Sequence, residues 1–269
     1  KLIHDATAEL LRAFDQAEGG FGGAPKFPSA PSIFLLLREY NRAQDSAMLH
    51  AATLTLDRMA SGGIYDHLGG GFARYSTDER WLVPHFEKML YDNAQLAQAY
   101  LEAYQLTGND HYHRVVEETL QYVLRDMTDE RGGFYSAEDA DSEGEEGKFY
   151  VWTYDEIVEV LGTERADRFS AYYNVKPEGN FQSHESYHAG QNILHTPRTL
   201  EDVSAELGVD AESYALELVE MKRTMIEMRN KRVRPGLDDK VLASWNGLMI
   251  SAFARAAQVL HKDEYRDAA

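Results

Sequence analysis

Gly62-Gly63-Ile64 stands between a helical stretch and a long polar loop, and the same arrangement occurs at Gly19-Gly20-Phe21 and Gly132-Gly133-Phe134. Each time, a run with helical spacing ends, a glycine pair permits a left-handed turn, and an apolar residue follows that can return to the core. The run before Gly19 is Leu2-Ile3, Ala6, Leu10, Ala13-Phe14 and Ala17. Before Gly62 it is Leu49, Ala52, Leu56 and Met59, and before Gly132 it is Tyr112, Val115-Val116, Thr119-Leu120 and Val123. Between these runs lie a compact apolar helix, Ile33 to Tyr40 after Pro28 and Pro31, and a helix expected from Phe86 through Tyr104, stopped at Gly108.

Downstream, Asp155 to Leu161 and Arg165 to Tyr173 read as short helices, and Tyr214, Leu218, Met221, Met225 and Met228 stripe a long one. Val241 to Leu260 is nearly apolar all round, which predicts burial on every side. Phe134-Tyr135 and Phe149-Tyr150-Val151-Trp152 flank an acidic loop and are expected to pair as a hairpin. Residues 174–199 read as a long ordered loop. Polar loops 22–31, 65–84, 135–153 and 232–240 precede every second helix, while short connections precede the others. Serial helical hairpins of ~50 residues with their long loops on one side predict an all-α fold, an α/α toroid with a small β-hairpin in a rim loop. A generic helical solenoid is the alternative. In the toroid the long-loop helices line the inside, and their N-termini gather at one rim with unpaired N–H groups and partial positive charge. No Pro/Gly/Ser-rich linker divides the chain, so residues 1–269 read as one toroid domain.

Composition narrows the function classes. The 269 residues carry 27 basic and 45 acidic side chains, a net charge of −18, a field that repels phosphate backbones and argues against nucleic acid. No stretch approaches the ~20 apolar residues of a membrane helix, and a cytoplasmic protein without membrane contact is expected. Cysteine is absent, which removes disulfides, zinc–thiolate sites and thiol chemistry from this chain.

The second rim loop, Tyr65-Asp66-His67-Leu68-Gly69-Gly70-Gly71-Phe72-Ala73-Arg74-Tyr75-Ser76, running on through Trp81 to Asn93, is the densest in chemistry. Pro84 suits a first helical position, which would place His85 and Glu87 in the first turn. His67 or His85 could exchange protons near neutral pH, and Glu87 and Asp92 could orient substrate or act as acid and base. Lys88 and Asp92, four apart, could equally be a surface pair. The triple glycine 69–71 does not sit between a strand and a helix, so it is no nucleotide fingerprint. In the third loop Asp139, Asp141, Glu143 and Gly144 match part of a calcium loop, but Tyr150 stands where an EF-hand needs Glu; a non-EF-hand cation site or a solvated tip remains. In the last loop Asp238 or Asp239 could cap the following helix, and Asp239 is a further acid–base candidate. Trp245 and Asn246 would then face the interior, an indole and an amide suited to a sugar, although a core tryptophan fits equally. The basic cluster Arg229, Lys231, Arg232 and Arg234 is explained by the end of a long helix. His184 and His188 have metal-compatible spacing but no third ligand beside them; the isolated His4, His50, His111, His113 and His261 read as structural.

Gly19-Gly20-Phe21-Gly22-Gly23-Ala24-Pro25-Lys26-Phe27-Pro28, Tyr65 to Phe72, Val83 to Asp92, Ala140 to Trp152 and Asp238 to Gly247 occur in order. Together they resemble the thioredoxin-domain-containing family of the spermatogenesis-associated protein 20 type. The resemblance implies a thioredoxin-like module followed by a toroid like those of N-acylglucosamine 2-epimerases and six-hairpin glycosidases. It leaves that module and a C-terminal remainder outside this chain, which stops in what reads as an unfinished helix. The ring is then expected to stay open, with an apolar edge that could form a homodimer, and the thioredoxin-like module becomes an expected partner. Three functions are weighed. In a sugar epimerase or isomerase, His67 or His85 moves a proton and Trp81, Trp152 or Trp245 stacks on the sugar, with Asp66, Tyr91 and Asn246 contacting it. In a glycoside hydrolase, Glu87 or Asp92 works with Asp139, Asp141 or Asp239. The third reading is a non-catalytic scaffold. Convergence of His67, His85, Glu87, Asp92 and Asp239 on one hollow would favour chemistry.

Overall fold

Helices α1 (Leu2–Ala13), α2 (Ala30–Ala43), α3 (Ser46–Ser61), α4 (Leu90–Thr107) and α5 (Asp110–Asp126) build the first half of the protein. The computed structural model describes residues 2–181 and 189–269. Local signals delimit these helices. The Asp45 carboxylate accepts the Ala47 N–H ahead of α3, and Asn109 does the same for His111 ahead of α5. Gly108, in the left-handed region at φ 68°, ends α4. After α6 (Tyr154–Leu161), α7 (Thr163–Tyr173), α8 (Leu200–Leu207) and α9 (Ala211–Arg229) come α10 (Ala243–Leu260) and α11 (Asp263–Ala268). Thr153 and Glu156 form a reciprocal capping box at the start of α6.

Helix packing gives an open arc of an α/α toroid. Helix α4 packs between α2 and α10, making one inner row. Helices α3, α5 and α11 each pack on their own inner helix as an outer row, with α1 against α2 and α3. Small residues on α4 (Ala94, Ala97, Ala99 and Ala103), all buried, let it sit close to its neighbours. One core spans this arc, with Trp81 at its rim end; a second, around Trp152, Ile157, Phe169, Tyr214, Met221 and Met225, belongs to α6–α9. The α6–α9 group thus forms a side cluster, and α4 meets α10 directly rather than through intervening hairpins. Helix α10 is not buried all round: Leu248 and Ile250 are exposed while Met249, Ala252, Phe253 and Ala256 are core. Its small residues permit close packing on one face without requiring burial of the other. Among the described residues no helix is long and apolar enough to cross a membrane.

The four long loops do gather at one rim, joined by short backbone pairings. Lys26 bridges Ser76, and β1 (Tyr75–Ser76) pairs with β2 (Pro84–His85). Three loops meet in one small sheet, where β3 (Lys88–Met89) pairs with β4 (Ala137–Glu138), and β4 with β9 (Leu237–Asp238). The acidic loop folds on itself through β5 (Asp141–Ser142) and β6 (Glu145–Glu146), whereas β7 (Trp152–Thr153) pairs with β8 (Gln191–Asn192). The expected hairpin between Phe134-Tyr135 and Phe149–Trp152 is therefore replaced, because Phe134 bridges back to Thr128.

The glycine repeat is real but sits in a different register. Phe14 bridges Phe21, Tyr65 bridges Phe72 and Thr128 bridges Phe134, each closing a short loop. Both glycines before each closing phenylalanine are left-handed: Gly19 and Gly20 (φ 67° and 82°), Gly70 and Gly71 (79° and 81°), and Gly132 and Gly133 (89° and 90°). Gly62-Gly63 is not the second member. It is needed for close approach instead, since a Cβ there would lie 2.4 Å from the Trp81 carbonyl oxygen at Gly62 and 2.1 Å from that of Leu82 at Gly63. An asparagine in the first turns of an inner helix holds two of these loops. The Asn93 amide accepts the Phe72 N–H at 2.7 Å and donates to its carbonyl at 3.1 Å. The Asn246 amide treats Phe134 identically, at 2.7 and 2.9 Å.

Candidate active site

Two-residue strands place the chemistry-bearing residues ahead of α4. The helix begins at Leu90, not at Pro84 or Phe86, because Arg74 and Leu90 N–H groups bond to the Glu87 and Ser136 carbonyls and hold the approach to α4 extended. His85 and Glu87 therefore lie on the rim strands, while Tyr91 and Asp92 occupy the first turn.

These four residues form one cluster with three that sequence reasoning had not singled out, Arg74, Tyr75 and Glu146. Arg74 donates from Nη1 to Glu87 Oε2 at 2.8 Å, and its charge also acts on the Tyr91 phenol. His85 stacks on Tyr75 with ring centroids 5.1 Å apart. Its Nδ1 lies 2.7 Å from Glu146 Oε1, and its Nε2 lies 3.7 Å from Glu87 Oε2. A carboxylate can only accept there, so Nδ1 carries the proton and Nε2 is the basic nitrogen of the neutral ring. Asp92 differs from its neighbours: its Oδ2 is shielded and has no hydrogen-bond partner among the described residues. Burial pushes its carboxyl up to about 7, with Arg74 pulling it down and Glu87 pushing it further up. Tyr91 packs edge-on against Trp245, centroids 4.8 Å apart, so α4 and α10 share an aromatic pair at their N-terminal ends. At the opposite end of the inner row lies a groove of about 500 Å³ with mixed polar and apolar walls, where Arg38 and Arg255 both bond Glu102 at 2.7 and 2.8 Å.

The remaining candidates are used differently. Asp66 accepts from Lys88 at 2.9 Å and Arg229 at 2.7 Å, all three buried, and caps the Leu68 and Gly69 N–H groups. Its burial cost is outweighed by these cations, which hold the carboxyl well below the usual range. Lys88 is thus no surface partner of Asp92. His67 is buried, with Nε2 2.8 Å from the Gly62 carbonyl, and burial lowers its pKa to about 4, so it stays a neutral structural ring away from His85. Trp81 is a core residue, donating to the Glu18 carbonyl at 2.9 Å. Trp152 is buried beneath the Arg232 guanidinium, 3.7 Å from its ring centroid. Asn246 spends its amide on Phe134. Asp239 is exposed on the loop before α10, and neither it nor Asp238 caps that helix, whose N-cap is Leu242. Of the five acid–base candidates, His85, Glu87 and Asp92 meet; His67 and Asp239 stand apart.

Asp139, Asp141 and Glu143 do not form a cage. Asp139 bonds the Ala140 N–H at 2.7 Å, Glu143 faces Lys148 at 3.4 Å, and among the described residues no three metal-ligating side chains converge. His184 and His188 lie outside the described residues. The basic cluster ties the acidic loop down rather than merely closing α9. Arg232 donates to the carbonyls of Lys148, Phe149 and Val151. Arg234 bonds Glu138 at 2.7 Å and Asp126 at 3.1 Å.

No protein-family model matches the chain. It is 42% identical to human spermatogenesis-associated protein 20 over 95% of its own length and 35% of that protein's, and 40% identical to the mouse protein over 91% and 34%. Among solved structures, cellobiose 2-epimerase from Spirochaeta thermophila superposes with a TM-score of 0.45 at 17% identity, over 99% of this chain and 82% of that one. The chain spans about a third of the length of the curated relatives it matches. With some two-fifths of its residues shared along nearly all of its length, and with the rim motifs that carry the cluster among its own, this chain belongs to the spermatogenesis-associated protein 20 family.

Proposed function

We propose that the rim cluster performs general acid–base chemistry on an open-chain sugar, as an isomerase or 2-epimerase. One observation carries this reading: a histidine whose basic Nε2 is oriented by a carboxylate shares a cluster with a shielded carboxyl that is half protonated near pH 7. His85 Nε2 would take the proton from the carbon next to the sugar carbonyl, and the electron pair would move onto the carbonyl oxygen. The Arg74 guanidinium is the cation able to stabilise that enediolate oxygen. The Asp92 carboxyl would return a proton to carbon, and the histidine's proton would then recharge it through solvent. The Tyr91–Trp245 pair offers an aromatic wall for the sugar face. A hydrolytic reading through Glu87 and Asp92 is weaker, because Glu87 is already committed to Arg74.

The test is proton exchange. The full-length protein is incubated in D₂O with a panel of aldoses, ketoses and disaccharides and followed by NMR. The reading expects deuterium next to the carbonyl, with the rate cut about a hundredfold or more in His85→Gln and in Asp92→Asn. The acid must be protonated, so the rate should fall as pH rises through about 7. Absence of exchange with every sugar, in a folded protein, would remove the isomerase reading; release of monosaccharides without exchange would replace it with hydrolysis.

A further inference from the structure

A second pocket lies away from the rim cluster, in the seam where the outer face of the arc meets the α6–α9 group. Its volume is about 190 Å³, below that of a drug-sized site, so its occupant is small. Its walls come from α5, the end of α7, α9 and the start of the second rim loop.

Charge in the pocket is unbalanced. Glu118, on α5, accepts from the Tyr65 hydroxyl and from Lys222 Nζ, the latter at 2.7 Å, so its charge is matched by that of Lys222. Arg114, one turn earlier and on the same wall, has no carboxylate partner among the described residues; its guanidinium bonds only His111 Nδ1, at 2.9 Å. Glu118, Lys222 and the exposed Arg114 therefore give the described lining a net charge of +1, in a chain whose net charge is −18. His111, read from the sequence as structural, is a lining residue. Burial and then Arg114 lower its pKa to about 4, so the ring is neutral and, with Nδ1 accepting, its Nε2–H is a donor.

The pocket also holds an unused polar group. Tyr173 is only 5% exposed, and its hydroxyl has no hydrogen-bond partner among the described residues. It lines the cavity within electrostatic reach of Glu118 and Arg114. Its oxygen is not among the side-chain atoms sealed from solvent without a partner, so it opens onto the pocket and is free to bond an occupant. The rings of Tyr172, Tyr173 and His67 supply flat walls, with Tyr172 and Tyr173 at 5.0 Å and His67 and Tyr173 at 5.9 Å between centroids.

We propose that this seam pocket binds a small planar carboxylate, its charged group on Arg114 and the Tyr173 hydroxyl and its body against the tyrosine rings. Arginine pairs a carboxylate in bidentate fashion, and a phenol adds a charge-assisted bond. The ligand would touch helices from both hydrophobic cores and so fasten the α6–α9 group to the arc.

Benzoate is the probe, benzamide its neutral counterpart and inorganic phosphate the anion without a planar body; binding to the full-length protein is measured by calorimetry and by the shift in melting temperature. Benzoate is expected to bind about tenfold or more tightly than either comparator, with Arg114→Gln weakening it by about tenfold and Tyr173→Phe by a smaller factor. Neither change removes a core contact, so melting of the unliganded variants should match the parent, and sugar-dependent proton exchange at the rim should be unaffected. Equal binding of benzamide, equal binding of phosphate, an unchanged affinity in Arg114→Gln, or no saturable benzoate binding would each overturn the assignment.

Discussion

Asp66 and Asp92 bound the same rim segment and are both shielded carboxylates, yet they sit in opposite environments. Asp66 meets two buried cations and two backbone N–H groups, and its oxygens are fully used. Around it the network closes: Lys88 lies 4.3 Å from the Tyr122 ring centroid, and Glu138 takes the Tyr122 and Tyr150 hydroxyls along with Arg234. Asp92 has an oxygen with no partner among the described residues, whereas an unpartnered arginine Nε occurs in both regions, at Arg74 and at Arg229. A closed polar network fixes the rim; an open one leaves groups free to exchange protons. Residue type does not separate the two regions, since both draw on Asp, Arg and Tyr. Completeness of carboxylate pairing does.

The comparison breaks most visibly at Asp66. Asp66→Asn leaves Lys88 and Arg229 buried against an uncharged group and should cost about 3–5 kcal/mol in urea unfolding. A loss below about 1 kcal/mol would mean the network is not what holds the rim. Next come the asparagine clamps. Asn93→Ala and Asn246→Ala each strand a buried phenylalanine N–H and should cost about 1–3 kcal/mol apiece. Similar values would support the structural equivalence of the two loops, and one near zero would break it. The smallest stability effect belongs to Asp92, and its sign is opposite. Its folded pKa of about 7 exceeds the unfolded value of 3.8, so the proton it holds favours the folded state below pH 4, and that contribution is lost as pH rises through 7. Asp92→Asn should therefore match the parent at pH 4 and exceed it by roughly 1–2 kcal/mol at pH 8, after discounting for partial exposure. A variant less stable than the parent at pH 8 would show that Asp92 is structural.

Much of the arc was legible in the residues. Helical spacing located α1–α5, α6, α7, α9 and α10, and the uneven loop lengths indicated a rim. Other features were less accessible. The repeat was placed at Gly62-Gly63 rather than Gly70-Gly71 because both pairs follow one another; only backbone angles and the Asn93 clamp tell a left-handed pair from a close-packed one. Helix α8 escaped notice, its eight residues carrying too few apolar positions to show a period. The two-residue strands ahead of α4 have no period either, so Pro84 read as a helix start. Glu146 looked like part of a solvated acidic tip, and nothing near it in the chain announces His85 as its partner.

What the sequence by itself determined is local: where helices run, where they are capped, and which loops are long enough to meet. Those depend on neighbouring residues and on side-chain periodicity, which are written along the chain. Tertiary structure alone decided that the Asp66 carboxylate is fully paired while Asp92 keeps an unpartnered oxygen, that Trp81 is core while Trp245 packs on Tyr91, and that Arg114 has no carboxylate partner among the described residues. Such roles are set by desolvation and by the distance to partners far off in the chain, Arg229 for Asp66 and Lys222 for Glu118. Those partners become neighbours only when the helices pack.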